Sequence, residues 1–88
     1  MRTSPIEALR EALRRCDDFL SRYPDLPGLR AARHQLAYLT AVTSGQERDL
    51  SKVRDITLGR LAAREFDGWE DDFRELLFDA QEIADSIK

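Results

Sequence analysis

Eighty-eight residues, 42% hydrophobic and 35% charged with a formal charge of -3, set the size of one small helical domain with a thin core, since so short a chain buries only about 60–65% of the surface its unfolded form exposes. A single cysteine, Cys16, excludes an intrachain disulfide, and a single histidine, His34, leaves a metal site almost nothing but carboxylates. No apolar run approaches the roughly 20 residues of a membrane span, and "MRTSPIEALREALRR" lacks the apolar core of a secretory signal, so a cytoplasmic protein without a membrane partner is expected.

Ser4-Pro5-Ile6-Glu7 predicts a helix start: Ser4 caps, Pro5 takes the first helical position, and Glu7 is placed to return the capping box. This first helix is expected to run to about Arg22. Its apolar positions Ile6, Leu9, Leu13, Cys16, Leu20 and Tyr23 alternate steps of three and four, which is one helical stripe. "YPDLPGL" reads as a connector, because the residue before each proline is driven out of the α region. A second helix from Pro27 or Gly28 carries Leu29, Ala32, Leu36 and Leu39 on one stripe and Ala31, Gln35, Tyr38 and Val42 on another beside it. Ser44-Gly45 ends that helix, and Ser44-x-x-Glu47 is placed to cap the next.

The third helix, expected at about residues 47 to 65, holds Leu50, Val53, Ile56, Leu58, Leu61, Ala62, Ala63 and Phe66, and so should be the most buried. Gly59 inside it costs up to about 1 kcal/mol relative to alanine, which calls for a close approach by another helix beside the small patch of Gly59, Ala62 and Ala63. Asp67-Gly68-Trp69-Glu70 predicts a turn with Asp67 as N-cap and Glu70 as its capping-box partner. A fourth helix shows Trp69, Phe73, Leu76, Ala80, Ile83 and Ile87 on one stripe, with Leu77 and Ala84 alongside. No segment alternates with period two. The fold class is therefore all-α, an antiparallel bundle of four helices, with residues 1–88 as one domain.

Charge is unevenly spread. Residues 1–43 hold seven Arg against five acids, residues 44–66 five basic against four acidic, and residues 67–88 two basic against eight acidic. The acidic last quarter repels phosphate and disfavours nucleic acid, so no nucleic-acid partner is expected; it reads either as a solvated face or as a match for a basic protein surface. There is no glycine-rich phosphate loop, no His-Glu-x-x-His, no Cys-x-x-Cys, and no serine or cysteine with a base and an orienting partner. Cys16 lies on the first apolar stripe and reads as a small buried hydrophobe. His34 lies at the rim of the second helix. The carboxylates Asp71, Asp72, Glu75, Asp79 and Glu82 fall on one solvent-facing arc, and Asp85-Ser86-Ile87 stands too near the end to carry a phosphopantetheine arm. A catalytic residue, a cofactor and a metal ligand are all expected to be missing.

Two segments then carry a resemblance. "RYPDLPGLRAARHQLAYL", through Arg22-Tyr23-Pro24, Leu29, Ala32, Gln35-Leu36 and Tyr38, and "ITLGRLAAREFD", through Thr57-Leu58-Gly59, Ala62 and Glu65-Phe66-Asp67, resemble the small helical immunity proteins paired with NAD(P)+ glycohydrolase effectors of bacterial type VI secretion. The resemblance covers residues from about 5 to 70. It implies a non-enzymatic cytoplasmic protein of interbacterial competition that binds a cognate toxin domain one to one and covers its substrate cleft. Occlusion of a cleft built for an anionic dinucleotide asks for acids and an aromatic anchor, and Asp67, Trp69, Glu70, Asp71, Asp72 and Glu75 are the candidate toxin-binding residues. The motif residues Tyr23, Pro24, Gln35, Tyr38, Leu58, Gly59, Glu65 and Phe66 have a structural reading beside the functional one. Tyr23 and Tyr38 are expected half-buried with bonded hydroxyls, Glu65 as a helix-terminal carboxylate, and Trp69 as a staple over its turn. Three alternatives stay open: a helical scaffold or regulator that forms a homodimer through the wide apolar arcs, immunity to a toxin of different nucleotide-targeting chemistry, and a subunit of a nucleotide-handling enzyme.

Overall fold

Four α-helices and one short 3-10 turn make up the described chain: α1 (Pro5–Arg22), α2 (Pro27–Ser44), the 3-10 turn (Val53–Asp55), α3 (Leu58–Arg64) and α4 (Asp71–Ile87). The computed structural model describes residues 4–66, 68 and 71–87, the side chain of Asp71 excepted. Among them there is no strand, and no helix is long and apolar enough to cross a membrane. The expected turn cap Asp67, its partner Glu70 and the staple Trp69 lie outside the described residues; Gly68 between them has φ +85°, a left-handed turn conformation that favours glycine.

The ends of α1 and α2 follow from local chemistry. Ser4 Oγ accepts the Glu7 N–H at 3.3 Å and Pro5 opens α1; Pro27 opens α2, and Gly45 closes it at φ +85° with its N–H on the Val42 carbonyl at 3.2 Å. The buried arc of α1 is Leu9, Ala12, Cys16 and Phe19. It is rotated from the predicted stripe, because Leu13 and Leu20 only flank the core and Tyr23, past the helix end, is 48% exposed. On α2 both predicted stripes are in place: Leu29, Ala32, Leu36 and Leu39 are fully buried, and Ala31, Gln35, Tyr38 and Val42 are half-buried next to them. The arc of α4 is Phe73, Leu77, Ala80 and Ala84, with Leu76, Ile83 and Ile87 at its edge.

The third helix departs from expectation. It begins at Leu58, spans seven residues, and buries only Leu58 and Ala62, whereas α2 is the more deeply packed element. Residues 46–57 are held by other means. The Glu47 N–H returns to the Ala41 carbonyl at 3.0 Å, so Glu47 completes the end of α2 and does not cap a new helix. Asp49 Oδ1 then accepts the Ser51 N–H at 2.9 Å, a side-chain bond that competes with helix formation and holds the Asp49 carboxyl below its ordinary pKa. Val53 and Ile56 still reach the core, but from the 3-10 turn and its exit.

Three aromatic rings close the centre. Phe73 of α4 lies 5.0 Å from Phe19 of α1 and 5.3 Å from Phe66, the latter pair edge to face at 81°. Nearby Cys16 is fully buried and its thiol donates to the Leu29 carbonyl at 3.4 Å, tying α1 to α2. Burial pushes that thiol up to about 12, with the Asp17 carboxylate adding and Arg33 opposing. The folded pKa is raised, so the stability that depends on a neutral thiol is fully present below the unfolded value near 9 and is lost as pH climbs toward 12. Labelling by a disulfide reagent at pH 8 should accordingly be far slower in the native protein than in denaturant; comparable rates in both would show the thiol to be open.

Candidate functional site

The residues that carry the family resemblance fasten elements together. Gln35 of α2 clamps Thr57, accepting its N–H on Oε1 at 2.7 Å and donating from Nε2 to its hydroxyl at 3.0 Å. Thr57 precedes α3 and makes no side-chain cap of its own, so this clamp fixes where α3 starts. Tyr38, one turn along α2, donates its hydroxyl to the Asp49 carbonyl at 2.6 Å. Gly59 sits in the first turn of α3 and not in a helix interior, and its N–H donates to Gln81 Oε1 on α4 at 3.1 Å. A Cβ there would stand 3.3 Å from Gln81 Cγ. The close approach at that glycine comes from side chains of α4 and not from the backbone of another helix. Glu65 follows α3 with its Cβ 3.0 Å from where a side chain on Gly28 would begin, and Leu58 and Phe66 are core. Pro24 is exposed and its carbonyl accepts from Arg30 Nε at 3.2 Å. Among the described motif residues, Arg22, Tyr23, Pro24 and Glu65 are exposed and the rest are half-buried or buried.

The candidate contact residues divide differently. Asp67, Trp69 and Glu70 lie outside the described residues, and of Asp71 only its place as first residue of α4 is described. Asp72 and Glu75 are exposed on α4, and with Asp79 and Glu82, also exposed, they form a row stepped three, four and three residues, about 15 Å long at 1.5 Å per residue. Asp72, Glu75 and Asp79 share with Glu11, Arg15 and Leu76 a shallow groove of about 280 Å³ between α1 and α4. On the α1 side, Arg14 pairs with Glu11 and Asp18, and Arg33 of α2 pairs with Asp17 at 2.6 Å. The Arg14 hydrogen bond holds the Glu11 carboxyl below its ordinary pKa. The basic residues of this half are thereby partly matched, while α4 sets its acids against a single Arg74.

Two further clefts flank the long helices. His34, Gln35, Tyr38, Lys52, Asp55 and Ile56 line one of about 340 Å³, and Pro5, Val42, Thr43, Leu50, Ile83, Ser86 and Ile87 line a more apolar one of about 400 Å³. Among the described residues no three His, Cys, Asp or Glu side chains gather as a metal site. Sequence periodicity passed over Phe78, which is 40% exposed in the acidic stretch of α4. Its signal was legible: an aromatic one residue beyond Leu77 cannot share the core arc when Phe73, Ala80 and Ala84 already fill it.

The comparisons with known proteins agree with one another. The sequence matches the model of the Tsi6 family over residues 4–86. It is 36% identical over 81 residues to the immune protein Tsi6 of Pseudomonas aeruginosa, covering 92% of this chain and 86% of that protein. The fold is similar to the structure of Tsi6 from Pseudomonas aeruginosa, with a TM-score of 0.85 and 34% identity over 93% of this chain and 95% of that one. It is equally similar to a chain in the structure of Tse6 in complex with Tsi6, with a TM-score of 0.86 and 34% identity over 93% of this chain and 87% of that one.

Proposed function

Because this chain belongs to the Tsi6 family of immunity proteins, we propose that it binds a cognate type VI secretion toxin and silences it by covering the toxin's substrate cleft. The observation that carries this is similarity along nearly the whole chain to a protein solved in complex with Tse6. In this reading the protein is a single non-enzymatic domain of the cytoplasm, where an incoming toxin meets its substrate. A protein that contributes no catalytic group can stop an enzyme only by filling or distorting its site. For that a rigid surface of complementary charge suffices.

The toxin's reaction, on the resemblance of the Thr57-Leu58-Gly59 and Glu65-Phe66-Asp67 segments, is NAD(P)+ hydrolysis. A cleft that grips an anionic dinucleotide is basic, and the acidic face of α4 supplies the opposite sign. Asp67, Trp69, Glu70, Asp71, Asp72 and Glu75 are the contacts we assign to its N-terminal end.

Co-expression with the product of the adjacent upstream gene tests the reading, with growth and the NAD+ pool followed together. Restored growth with NAD+ preserved is the expected result. Restored growth with NAD+ never threatened would keep immunity and move the toxin to another nucleotide-targeting chemistry. Absence of any toxicity, with the protein eluting as a dimer, would overturn the reading in favour of a self-associating scaffold.

A further inference from the structure

The exposed face of α4 carries one large apolar side chain, and its setting is specific. Leu77 is fully buried, and Phe78, a further 100° around the helix, turns out of the core and keeps 40% of its surface exposed. Its inner edge rests against α3, where Phe78 Cδ1 lies 3.7 Å from the place a Cβ would occupy on Gly59. The Arg74 guanidinium, one turn back, lies 5.9 Å from the ring centroid, and its Nε donates to the Ala62 carbonyl at 3.4 Å. The ring is therefore held from two sides before any partner arrives, and little ordering entropy remains to be lost on contact.

The frame around it is acidic. Glu75 and Glu82, three residues before and four after, share its side of the helix and are exposed, with Asp85 a turn beyond. Arg74 is the only basic residue of α4 and is engaged as described. An aromatic centre with a charged rim is the anatomy of an interface anchor. A second copy of this chain is a poor occupant, because it would set two acidic faces against each other. The complementary surface is an apolar recess rimmed by Lys or Arg, the make-up of a cleft that stacks a nucleobase and holds its phosphates.

We infer that Phe78 is the anchor of the toxin complex, its ring entering the apolar part of the toxin's nucleotide cleft while Glu75 and Glu82 meet the basic rim. The inference rests on the immunity reading above. It places the centre of the contact two turns further along α4 than the acids next to Trp69.

Titration calorimetry against the inactivated toxin domain from the adjacent upstream gene separates the two claims. Phe78→Ala should weaken binding about thirty-fold or more, the loss that marks a dominant contact. Because the ring also covers Gly59, a thermal melt accompanies that variant, and the paired charge reversal Glu75→Lys with Glu82→Lys probes the rim without touching the core; it should weaken binding as strongly. Wild-type binding with either variant at unchanged affinity would overturn the anchor and leave immunity standing. No binding by the wild type would overturn immunity and the anchor with it, and a wild-type dimer dissolved by Phe78→Ala would assign the ring to self-association instead.

Discussion

Phe73→Ala should lower the unfolding free energy by about 3–5 kcal/mol, the range for truncating a fully buried aromatic ring. Phe73 has no exposed surface and is the shared member of two ring pairs, with Phe19 at 5.0 Å and Phe66 at 5.3 Å. Its loss opens a void where α1, α4 and the segment after α3 meet, and none of the three can close it alone. Small domains hold only about 5–15 kcal/mol in total, so the variant should populate unfolded chain visibly at room temperature. Urea and thermal melts followed by circular dichroism read the effect, with the thermal midpoint falling by roughly 12–40 °C at about 4–8 °C per kcal/mol. Phe73→Leu keeps most of the volume and should cost markedly less. A loss below about 1 kcal/mol for the alanine variant would mean that the three rings are not the centre of the core.

Gln35→Leu should be the largest polar effect, about 2–3 kcal/mol. It removes both bonds to Thr57 and leaves a half-buried N–H and hydroxyl without partners, where each unsatisfied group costs about 1–3 kcal/mol. Gln35→Glu gives the decisive contrast. A carboxylate still accepts the Thr57 N–H and can accept a hydrogen bond from the Thr57 hydroxyl, which then donates, so that variant should retain a large part of the stability. Equal losses in the two variants would point to volume and not to the clamp. Limited proteolysis provides a second readout, since release of Thr57 should expose residues 46–57 to cleavage before the long helices open.

How far the sequence could be read followed the range of the forces involved. Ser4, Pro5, Pro27 and Gly45 act on backbone groups within a few residues of themselves, and the ends of α1 and α2 were legible to the residue or nearly so. The third helix was started eleven residues too early because Leu50, Val53 and Ile56 recur at a spacing a helix would also give, while the bonds that prevent it come from elsewhere. Tyr38 reaches Asp49 across 11 residues and Gln35 reaches Thr57 across 22, separations that periodicity does not sense. On α1 and α4 the apolar arcs are broad enough that neighbouring stripes compete. Phe19 and Leu77 took the centre, and Leu20 and Leu76 moved to the edge. The contact face is a different matter, since exposed side chains answer to a partner's shape and the chain's own packing does not constrain them.

The clamp has an evolutionary corollary. Tyr38 grips the carbonyl of residue 49, a group every amino acid provides, and Gln35 grips residue 57. Gln46, Arg48, Leu50, Ser51 and Lys52 are all exposed. Such a segment can drift in sequence, or gain a residue, without disturbing the helices that hold it. A lineage whose adversaries keep changing thereby inherits a patch of surface that is free to vary on a frame that is not.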